Sequence, residues 1–335
     1  MASELILVLR DFFLPEEVAA PADLPRLPAL ETLLATGSPE PLPQGWRAAL
    51  ASMIGGRELA AVAPAAVVSG AWPGAQARAD EPQWLATPVH YFAGLDSVRL
   101  HPAGLLQLSA AAQAALVRDF GRVFGEAPWR LQAAGGRELL LSGEVPAAGG
   151  EDPAFFLGRD PREGLPRGAG AATLRRLGVE IEMWLHEHPI NQERQARGEL
   201  PVSALWFWGA PDAPARTPLP EVRLGRRRLH GEDPYAEALW RLGGGQSASL
   251  PENLEALDEP EAPAHVLLYP TLAEDGLSGA LQRLERDWLA PGLAALRGGR
   301  LPAIRLLAGR GAHHFRAWHR VRFWRPRHPW ARALA

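Results

Sequence analysis

Polar side chains are densest in residues 180–209, which combine carboxylates, histidines, an amide and arginines. His188 and Asn191 carry side chains suited to hydrogen bonding with a ligand. Arg194 and Arg197 are three residues apart and share one face of a helical turn. Their planar guanidinium groups would hold phosphate or carboxylate. This pattern predicts a binding site for a small anion at the end of a helix.

The same residues also fit a helix-to-strand corner that binds no ligand. In that interpretation Pro189 ends the helix, and the Asn191 side chain caps the next turn. The two arginines are then solvated or paired with Glu187 and Glu193. The sequence leaves both interpretations open.

His186 and His188 flank Glu187 and raise the question of a metal site. A zinc-binding helix carries His-Glu-x-x-His, with the histidines four residues apart on one face. Here they are two residues apart, so on a helix their directions diverge by about 200°. The spacing therefore predicts no metal here. His186 and His188 are both candidate ligand-binding residues.

The composition excludes several kinds of active site. The chain has no cysteine and no lysine, so its 35 basic residues are all arginine. Disulfides, thiolate nucleophiles and cysteine-bound metals are therefore excluded, as are Schiff-base chemistry and the phosphate-binding P-loop. No Gly-x-Ser-x-Gly motif occurs, and no Gly-x-Gly-x-x-Gly motif follows a predicted strand.

The N-terminal sequence and the apolar runs bear on location. Residues 5–9 form a short apolar run after Met-Ala-Ser-Glu, which lacks the basic start and the length of a signal peptide. No run approaches the roughly 18 uninterrupted apolar residues of a membrane helix. The sequence therefore predicts a cytoplasmic protein without a membrane partner.

Residues 288–335 contain ten arginines, four histidines and no acidic residue, with aromatic residues between the arginines. Their formal charge is +10, against −13 for residues 1–287. Such a segment is typical of binding to nucleic acid or a membrane surface. Alternatively, residues 314–325 form an amphipathic helix that docks on the acidic segment 252–261, and the aromatic content favours this docking.

The positions of apolar residues predict the elements that hold these side chains. Alternating helices and strands in the second half are typical of right-handed crossovers, with residues 202–208 as a central strand covered on both faces. The fold class is therefore α/β, with a mainly parallel sheet flanked by helices. The predicted strands are residues 4–10, 85–92, 97–100, 129–132, 138–141, 202–208, 265–269 and 301–307, and the predicted helices are residues 28–35, 45–54, 110–124, 174–188, 234–242 and 277–296, the last broken at Pro291.

The same pattern predicts the domain organisation. Residues 1–311 are expected to form a single α/β domain, with an internal joint in the glycine- and proline-rich residues 144–170. Residues 312–335 are expected to form a basic, aromatic C-terminal tail.

The segment at residues 188–209 resembles a stretch of the archaeal-type cofactor-independent phosphoglycerate mutases and reads HPINQERQARGELPVSALWFWG. In that family a His-Pro-x-Asn-x-x-Arg run, a Gly, a Pro and a strand ending in Gly follow in the same order. The chain also resembles, over nearly its whole length, a group of mostly uncharacterised proteobacterial proteins. That wider similarity is carried by residues 5–9, LPALETLLA at 27–35, WLATPVHYFAGLD at 84–96 and LERDWLAPGLAALRGGRL at 284–301.

The resemblance implies the fold of the alkaline-phosphatase superfamily, a parallel sheet between helices. It also implies a serine that carries a phosphoryl group and two metal ions, usually manganese or zinc, that stabilise the attacking and leaving oxygens. Asp11 stands after the first strand, where the family has one ligand. Elsewhere the chain departs from the family: Pro270 and a turn at residues 274–276 follow one strand, and His313 and His314 follow another without the expected aspartate.

These departures predict an alkaline-phosphatase-like core with a reduced or lost metal site and no cofactor. We therefore expect a phosphoglycerate-mutase-like protein that binds a small phosphorylated or carboxylated anion. Two alternatives remain, an active mutase or phosphatase-like enzyme with manganese or zinc, and an interaction protein that binds nucleic acid through its basic tail. The expected ligand-binding residues are Asp11, His186, His188, Asn191, Arg194 and Arg197.

Overall fold

The structure is a computed structural model, and it describes most of the chain. Its strands are β1 (Glu4–Arg10), β2 (Ser38–Pro41), β3 (Gln83–Ala93), β4 (Val98–Leu105), β5 (Trp129–Ala133), β6 (Leu139–Gly143), β7 (Ala204–Trp208), β8 (Arg228–His230), β9 (Ser247–Ala248), β10 (Ala264–Pro270), β11 (Ala303–Ala308) and β12 (Gly311–Arg316). The helices are α1 (Pro28–Thr36), α2 (Gly45–Ala60), α3 (Pro64–Ala71), α4 (Ala110–Phe124), α5 (Ala171–Glu187), α6 (Pro189–Ala196), α7 (Pro234–Leu242), α8 (Gly276–Leu284), α9 (Ala290–Arg297) and α10 (Trp330–Leu334). The described residues are 4–12, 24–72, 81–94, 97–125, 128–146, 148–211, 219–257, 262–271, 276–322 and 324–334.

The chain divides into two compact units, each built from separate stretches of sequence. The first unit comprises Met1–Ala60, Val222–Glu232 and Gly243–Ala335, and the second comprises Ala61–Glu221 and Asp233–Leu242. Residues 144–170, where a joint was expected, lie inside the second unit. The chain passes between the two units instead at residues 60–61, 221–222, 232–233 and 242–243.

The first unit is built on a seven-stranded sheet with the order β2-β12-β11-β1-β10-β8-β9. Strand β1 runs parallel to both β10 and β11, while β12 and β2 are antiparallel at one edge. The interior residues of β1 are all buried, as expected for a parallel strand covered on both faces. This sheet, flanked by helices, confirms the predicted α/β class with a mainly parallel sheet.

Apolar residues from helices α1, α8 and α9 pack with β1, β10 and β11 to form the core of the first unit. The helix predicted over residues 277–296 is divided by a π-helical turn at Glu285–Leu289. Pro291 lies two residues beyond the end of that turn. It cannot donate a hydrogen bond to the carbonyl oxygen of Asp287, and its ring crowds that carbonyl. The wider turn accommodates the missing hydrogen bond.

The second unit contains a five-stranded antiparallel sheet, in which β3 pairs with β4, β6 and β7. The hairpin predicted at residues 129–141 is confirmed as β5 and β6. Residues 202–208 were expected to form a central parallel strand, and this prediction is wrong. Strand β7 is buried throughout, but it runs antiparallel to β3. A continuous apolar run predicts burial and does not specify the pairing partner.

The C-terminal residues differ most from expectation. The helix expected at residues 314–325 is wrong, because residues 311–316 form β12, which pairs with both β11 and β2. Gly309 has a φ of 53° at the turn between β11 and β12, a conformation that glycine adopts without strain. A 3₁₀ turn at Ala317–Arg322 and helix α10 follow. Residues 312–335 therefore belong largely to the first unit rather than to a separate tail.

Among the described residues, no single helix combines the length and the apolar composition needed to cross a membrane, although α2 and α3 would meet that measure if taken together.

Candidate functional site

The carboxyl ends of β1, β10 and β11 lie at the same edge of the first unit's sheet. Ligands of open α/β sheets bind beside this edge. Asp11 follows β1 there, is only 5% exposed, and has a φ of 60°. Residues other than glycine rarely adopt this left-handed conformation, and such strain occurs preferentially at functional sites. Asp11 is thus a candidate functional residue on geometric grounds.

Two neighbouring residues fix the backbone around Asp11. The Nε of Arg10 lies 3.5 Å from Oδ2 of Asp11, and the Arg10 guanidinium group also donates to the carbonyl oxygen of Glu232. The hydroxyl group of Thr271, which is fully buried, donates to the carbonyl oxygen of Arg10 at 2.6 Å. The strand end is therefore held rigidly, with a cation beside the carboxylate.

The resemblance implied a pair of metal ions at this edge. Such a site needs several carboxylate or imidazole ligands that converge on each ion. Across the described part of the chain, no group of three or more histidine, aspartate or glutamate side chains is arranged to hold a metal ion. The turn predicted at residues 274–276 lies mostly outside the described residues. The described residues around Asp11 do not fit a dinuclear metal site, and we derive no chemical step through one.

His188 lies at the corner between α5 and α6, in the second unit. Its Nδ1 accepts a hydrogen bond from the backbone N–H of Ile190 at 3.2 Å, so the imidazole caps α6. The neutral ring then carries its proton on Nε2, which lies 3.5 Å from Oδ2 of Asp119. Burial lowers the pKa of His188, and Asp119 opposes that shift. The ring also lies edge-on against Trp184.

Asn191 connects the end of α5 to the start of β7. Its amide donates to the carbonyl oxygens of Leu185 at 2.7 Å and Val202 at 2.9 Å, and its Oδ1 accepts from the Val202 N–H at 2.7 Å. Both amide hydrogens are therefore committed to the backbone. The Asn191 side chain thus stabilises the corner between α5 and β7.

The two arginines of this cluster also have internal partners. Arg194 is buried, donates to the carbonyl oxygens of Leu200 at 2.7 Å and Gln107 at 3.0 Å, and lies 3.1 Å from a carboxylate oxygen of Glu199. Burial lowers the pKa of Arg194. Arg197 is exposed and pairs with Glu199 at 2.7 Å, instead of the expected Glu187 or Glu193. These contacts favour the helix-to-strand corner over an anion site.

The predicted ligand-binding residues are distributed over both units. His186 is exposed on α5. The first unit contains Asp11, and the second contains His186, His188, Asn191, Arg194 and Arg197.

The basic C-terminal residues dock on α1 of the first unit. Arg322 donates through Nη1 to the carbonyl oxygens of Thr36 at 3.2 Å and Gly37 at 3.3 Å, and Arg325 donates to that of Gly37 at 3.2 Å. The last carbonyl groups of a helix have no partner within the helix and carry a partial negative charge. The two guanidinium groups therefore cap the C-terminal end of α1. The described hydrogen bonds place the docking of these arginines at this helix end. Residues 258–261 of the acidic segment, where docking was expected, lie outside the described part.

A cavity of about 120 Å³ lies in the first unit beside these caps, and we call it the C-terminal cavity. Its wall combines apolar side chains with four arginines and a histidine, and none of the described residues that line it is acidic. The absence of a side chain at Gly37 lets the Phe315 ring lie against the end of α1. The lining residues are Thr32, Leu33, Ala35, Thr36, Leu293, Leu296, Arg297, Phe315, Arg316, Ala317, His319, Arg325 and Arg327.

His319 is the buried titratable group of this wall, at 3% exposure. Its Nδ1 accepts from the backbone N–H of Arg316 at 3.3 Å, so the neutral ring carries its proton on Nε2. Burial lowers the pKa of His319, and the charges of Arg322, Arg316 and Arg325 lower it further. The ring is therefore held neutral at physiological pH, and it also hydrogen-bonds to the backbone of His314, which opposes part of the shift.

Sequence reasoning did not identify the C-terminal cavity. The acid-free composition of residues 288–335 marked the right region. The cavity itself depends on β12 turning back along β11, which brings residues 315–327 to the end of α1. That return of the chain was not predicted, so Arg297, Arg316 and Arg327 were not singled out.

No protein-family model matches this chain, and no curated protein matches it. Two solved structures are similar over most of its length. The cofactor-independent phosphoglycerate mutase from Thermoplasma acidophilum DSM 1728 is 16% identical with a TM-score of 0.39, and the match covers 94% of this chain and 89% of the mutase. The PH0037 protein from Pyrococcus horikoshii is 12% identical with a TM-score of 0.41, and that match covers 93% and 86% of the two chains. At these values the likeness assigns no activity and no residue role to this chain.

Proposed function

We propose that this chain binds a small phosphorylated or carboxylated anion at the C-terminal cavity. The observation that carries the proposal is the set of guanidinium groups at its rim. Within the described residues, Arg297, Arg316 and Arg327 have no carboxylate partner, and all three line the same cavity. This role requires neither a metal nor a cofactor.

Charge and geometry both support an anion at this place. Guanidinium groups offer planar pairs of donors that match phosphate and carboxylate. Several cations close together, without a neighbouring carboxylate, raise the local positive potential. The apolar wall behind them excludes water and strengthens each interaction with an anion. The ligand class agrees with the expectation from the sequence, and the proposed place differs from residues 188–197.

Titration calorimetry with inorganic phosphate and 3-phosphoglycerate at low ionic strength tests this proposal. We expect the wild-type chain to bind both anions, and added salt to weaken the binding because the arginines are exposed. The double variant Arg316→Gln/Arg327→Gln should bind at least tenfold more weakly. Arg175→Gln is the matched control, since Arg175 is an exposed arginine on α5 in the second unit. Equal affinity of the double variant and the control would refute the proposal.

Asp11 supports a second candidate function, an enzyme resembling the phosphoglycerate mutases or phosphatases. A buried carboxylate in a left-handed conformation at the carboxyl end of a central strand is the supporting observation. Metal analysis of the purified chain, with assays of 3-phosphoglycerate conversion and phosphate release in manganese or zinc, tests it. Turnover that Asp11→Asn abolishes would support the enzyme. Absence of turnover with either metal would reject it.

A further inference from the structure

We infer that the ligand of the C-terminal cavity is an anion with a compact apolar body, such as an aryl or short alkyl phosphate or carboxylate. This inference rests on the proposed function and names the substance class that the cavity selects. Hydroxylated anions such as phosphoglycerates fit the wall less well, for three reasons.

The first reason is the apolar wall. Leu33, Leu296 and Phe315 are buried core residues of the first unit, and each also lines the cavity. Leu293 packs against the same core, and the small side chains of Ala35 and Ala317 leave room between the larger ones. A ligand that enters therefore places its body against hydrocarbon, where burial of apolar surface is favourable.

The second reason is size. The cavity measures about 120 Å³. A dry apolar cavity of about 150 Å³ in another protein is known to hold one benzene ring. The C-terminal cavity is somewhat smaller, so it has room for a short alkyl chain or for most of one ring, while the charged group stays at the arginine rim.

The third reason is that the hydroxyl groups of the wall already donate hydrogen bonds to the backbone. The hydroxyl group of Thr32 donates to the carbonyl oxygen of Pro28 at 2.7 Å, and that of Thr36 donates to the carbonyl oxygen of Thr32 at 2.9 Å. Both hydroxyl hydrogens are thus committed within α1. Ligand hydroxyl groups buried here would exchange water for an incomplete set of partners, which is unfavourable.

The rim of the cavity is suited to the charged group of the ligand. The His319 ring has backbone partners of its own, since its Nδ1 accepts from the Arg316 N–H and the ring also hydrogen-bonds to the backbone of His314. An oxyanion can therefore accept from the guanidinium groups of Arg316 and Arg327. The polar side of the cavity thus serves one charged group, and the remaining wall serves an apolar one.

Calorimetry with four ligands at equal ionic strength tests the inference: phenyl phosphate, benzoate, inorganic phosphate and 3-phosphoglycerate. We expect phenyl phosphate to bind at least tenfold more tightly than inorganic phosphate or 3-phosphoglycerate. Comparison with benzoate shows whether the phosphate or the carboxylate group is preferred. The heat-capacity change should also be more negative for phenyl phosphate, because apolar surface is buried.

The variant Ala317→Leu fills the cavity from the wall and leaves the arginines in place. It should weaken phenyl phosphate at least tenfold and change inorganic phosphate less than twofold. If this variant fails to fold, the comparison of heat-capacity changes on the wild-type chain still tests whether the ligand buries an apolar group. Arg175→Gln serves again as the unaffected control.

The outcomes separate the two proposals. If none of the four anions binds, the proposed function itself fails. If inorganic phosphate and 3-phosphoglycerate bind as tightly as phenyl phosphate, with equal heat-capacity changes, anion binding stands and the apolar-body inference is overturned.

Discussion

Two arginine-rich regions of this protein look alike in sequence and differ in what their guanidinium groups contact. In the 188–197 region, Arg194 donates to backbone carbonyl oxygens and Arg197 pairs with Glu199. At the C-terminal cavity, Arg316 and Arg327 lie at a rim without a carboxylate partner in the described part of the chain. Backbone and carboxylate acceptors thus use the guanidinium donors of the first region, and only the second region leaves guanidinium groups that could bind the proposed anion.

The largest effect should come from the anchor of the C-terminal segment. The Trp330 side chain is 1% exposed, donates to the carbonyl oxygen of Pro25 at 2.8 Å, and lies against the Phe12 ring. Trp330→Ala should lower the free energy of unfolding of the first unit by about 3–5 kcal/mol. Urea denaturation followed by circular dichroism measures the change. Trp324→Ala, at a tryptophan that is 66% exposed, should change it by less than about 1 kcal/mol.

This pair of variants tests whether the cationic C-terminal segment is part of the core. Equal, small losses for Trp330→Ala and Trp324→Ala would mean that the segment is a separate tail, as the sequence first suggested. The C-terminal cavity would then have no fixed wall.

The next largest effect is expected at Asn191. Replacement by alanine removes the Asn191 partner of the Val202 N–H and carbonyl groups inside the second unit, while the Leu185 carbonyl keeps its hydrogen bond from the His188 N–H at 3.1 Å. Unsatisfied buried groups of this kind cost about 1–3 kcal/mol each, so we expect Asn191→Ala to destabilise the unit by about 3 kcal/mol. Thermal and urea unfolding measure the loss.

Asn253→Ala is the matched control for Asn191→Ala. Asn253 also accepts from a backbone N–H, that of Ala256 at 3.0 Å, but in an exposed turn. It should cost about 1 kcal/mol or less. The affinity for phenyl phosphate should be unchanged in Asn191→Ala. A tenfold loss of affinity in this variant would indicate that the anion binds in the 188–197 region instead.

A smaller difference should separate the two arginines of that region. Arg194→Gln removes a buried guanidinium group with two backbone acceptors, and we expect a loss of about 2 kcal/mol. Arg197→Gln removes an exposed ion pair with Glu199, which solvent screens, so we expect a smaller loss than for Arg194→Gln. Urea denaturation of both variants checks the order. A larger loss for Arg197→Gln would contradict the contacts described for this corner.

The smallest effects concern protonation of one histidine in each region. Burial lowers the pKa of both His188 and His319. Asp119 opposes the shift at His188, whereas Arg322 and Arg316 add to the shift at His319. Asp119→Asn should therefore lower the pKa of His188 further, and Arg316→Gln should raise the pKa of His319 toward its ordinary value. Proton NMR titration of the imidazole Cε1–H signals measures both.

The sign of the pH dependence follows from these directions. The pKa of each histidine is lower in the folded chain than its ordinary value of about 6.5. At a pH between these two pKa values, the histidine is therefore protonated more in the unfolded chain than in the folded chain. The free energy of unfolding should therefore be highest above pH 6.5 and fall as the pH falls through the folded-state pKa. His319→Gln should reduce this dependence, and an unchanged profile would show that His319 is not buried as a neutral ring.

The sequence predicted elements best where the apolar pattern is local. Helix α4 has the predicted bounds because its apolar residues repeat at helical spacing and the Ser109 side chain caps its first turn at 3.2 Å. Strand β2, at Ser38–Pro41, was missed. It has no apolar alternation, and its strand conformation depends on pairing with β12, whose residues are about 270 positions away in the chain.

The sequence by itself determined the α/β class, most elements, the absence of lysine and cysteine chemistry, and the acid-free character of the C-terminal residues. Only the tertiary structure decided which arginines are used internally. Arg194 reaches a carbonyl oxygen of Gln107, and Arg322 reaches those at the end of α1, all of them distant in sequence. Hydrogen-bond partners are chosen by proximity in space, so a guanidinium group's role is fixed by the folded backbone around it and not by its neighbours in the chain.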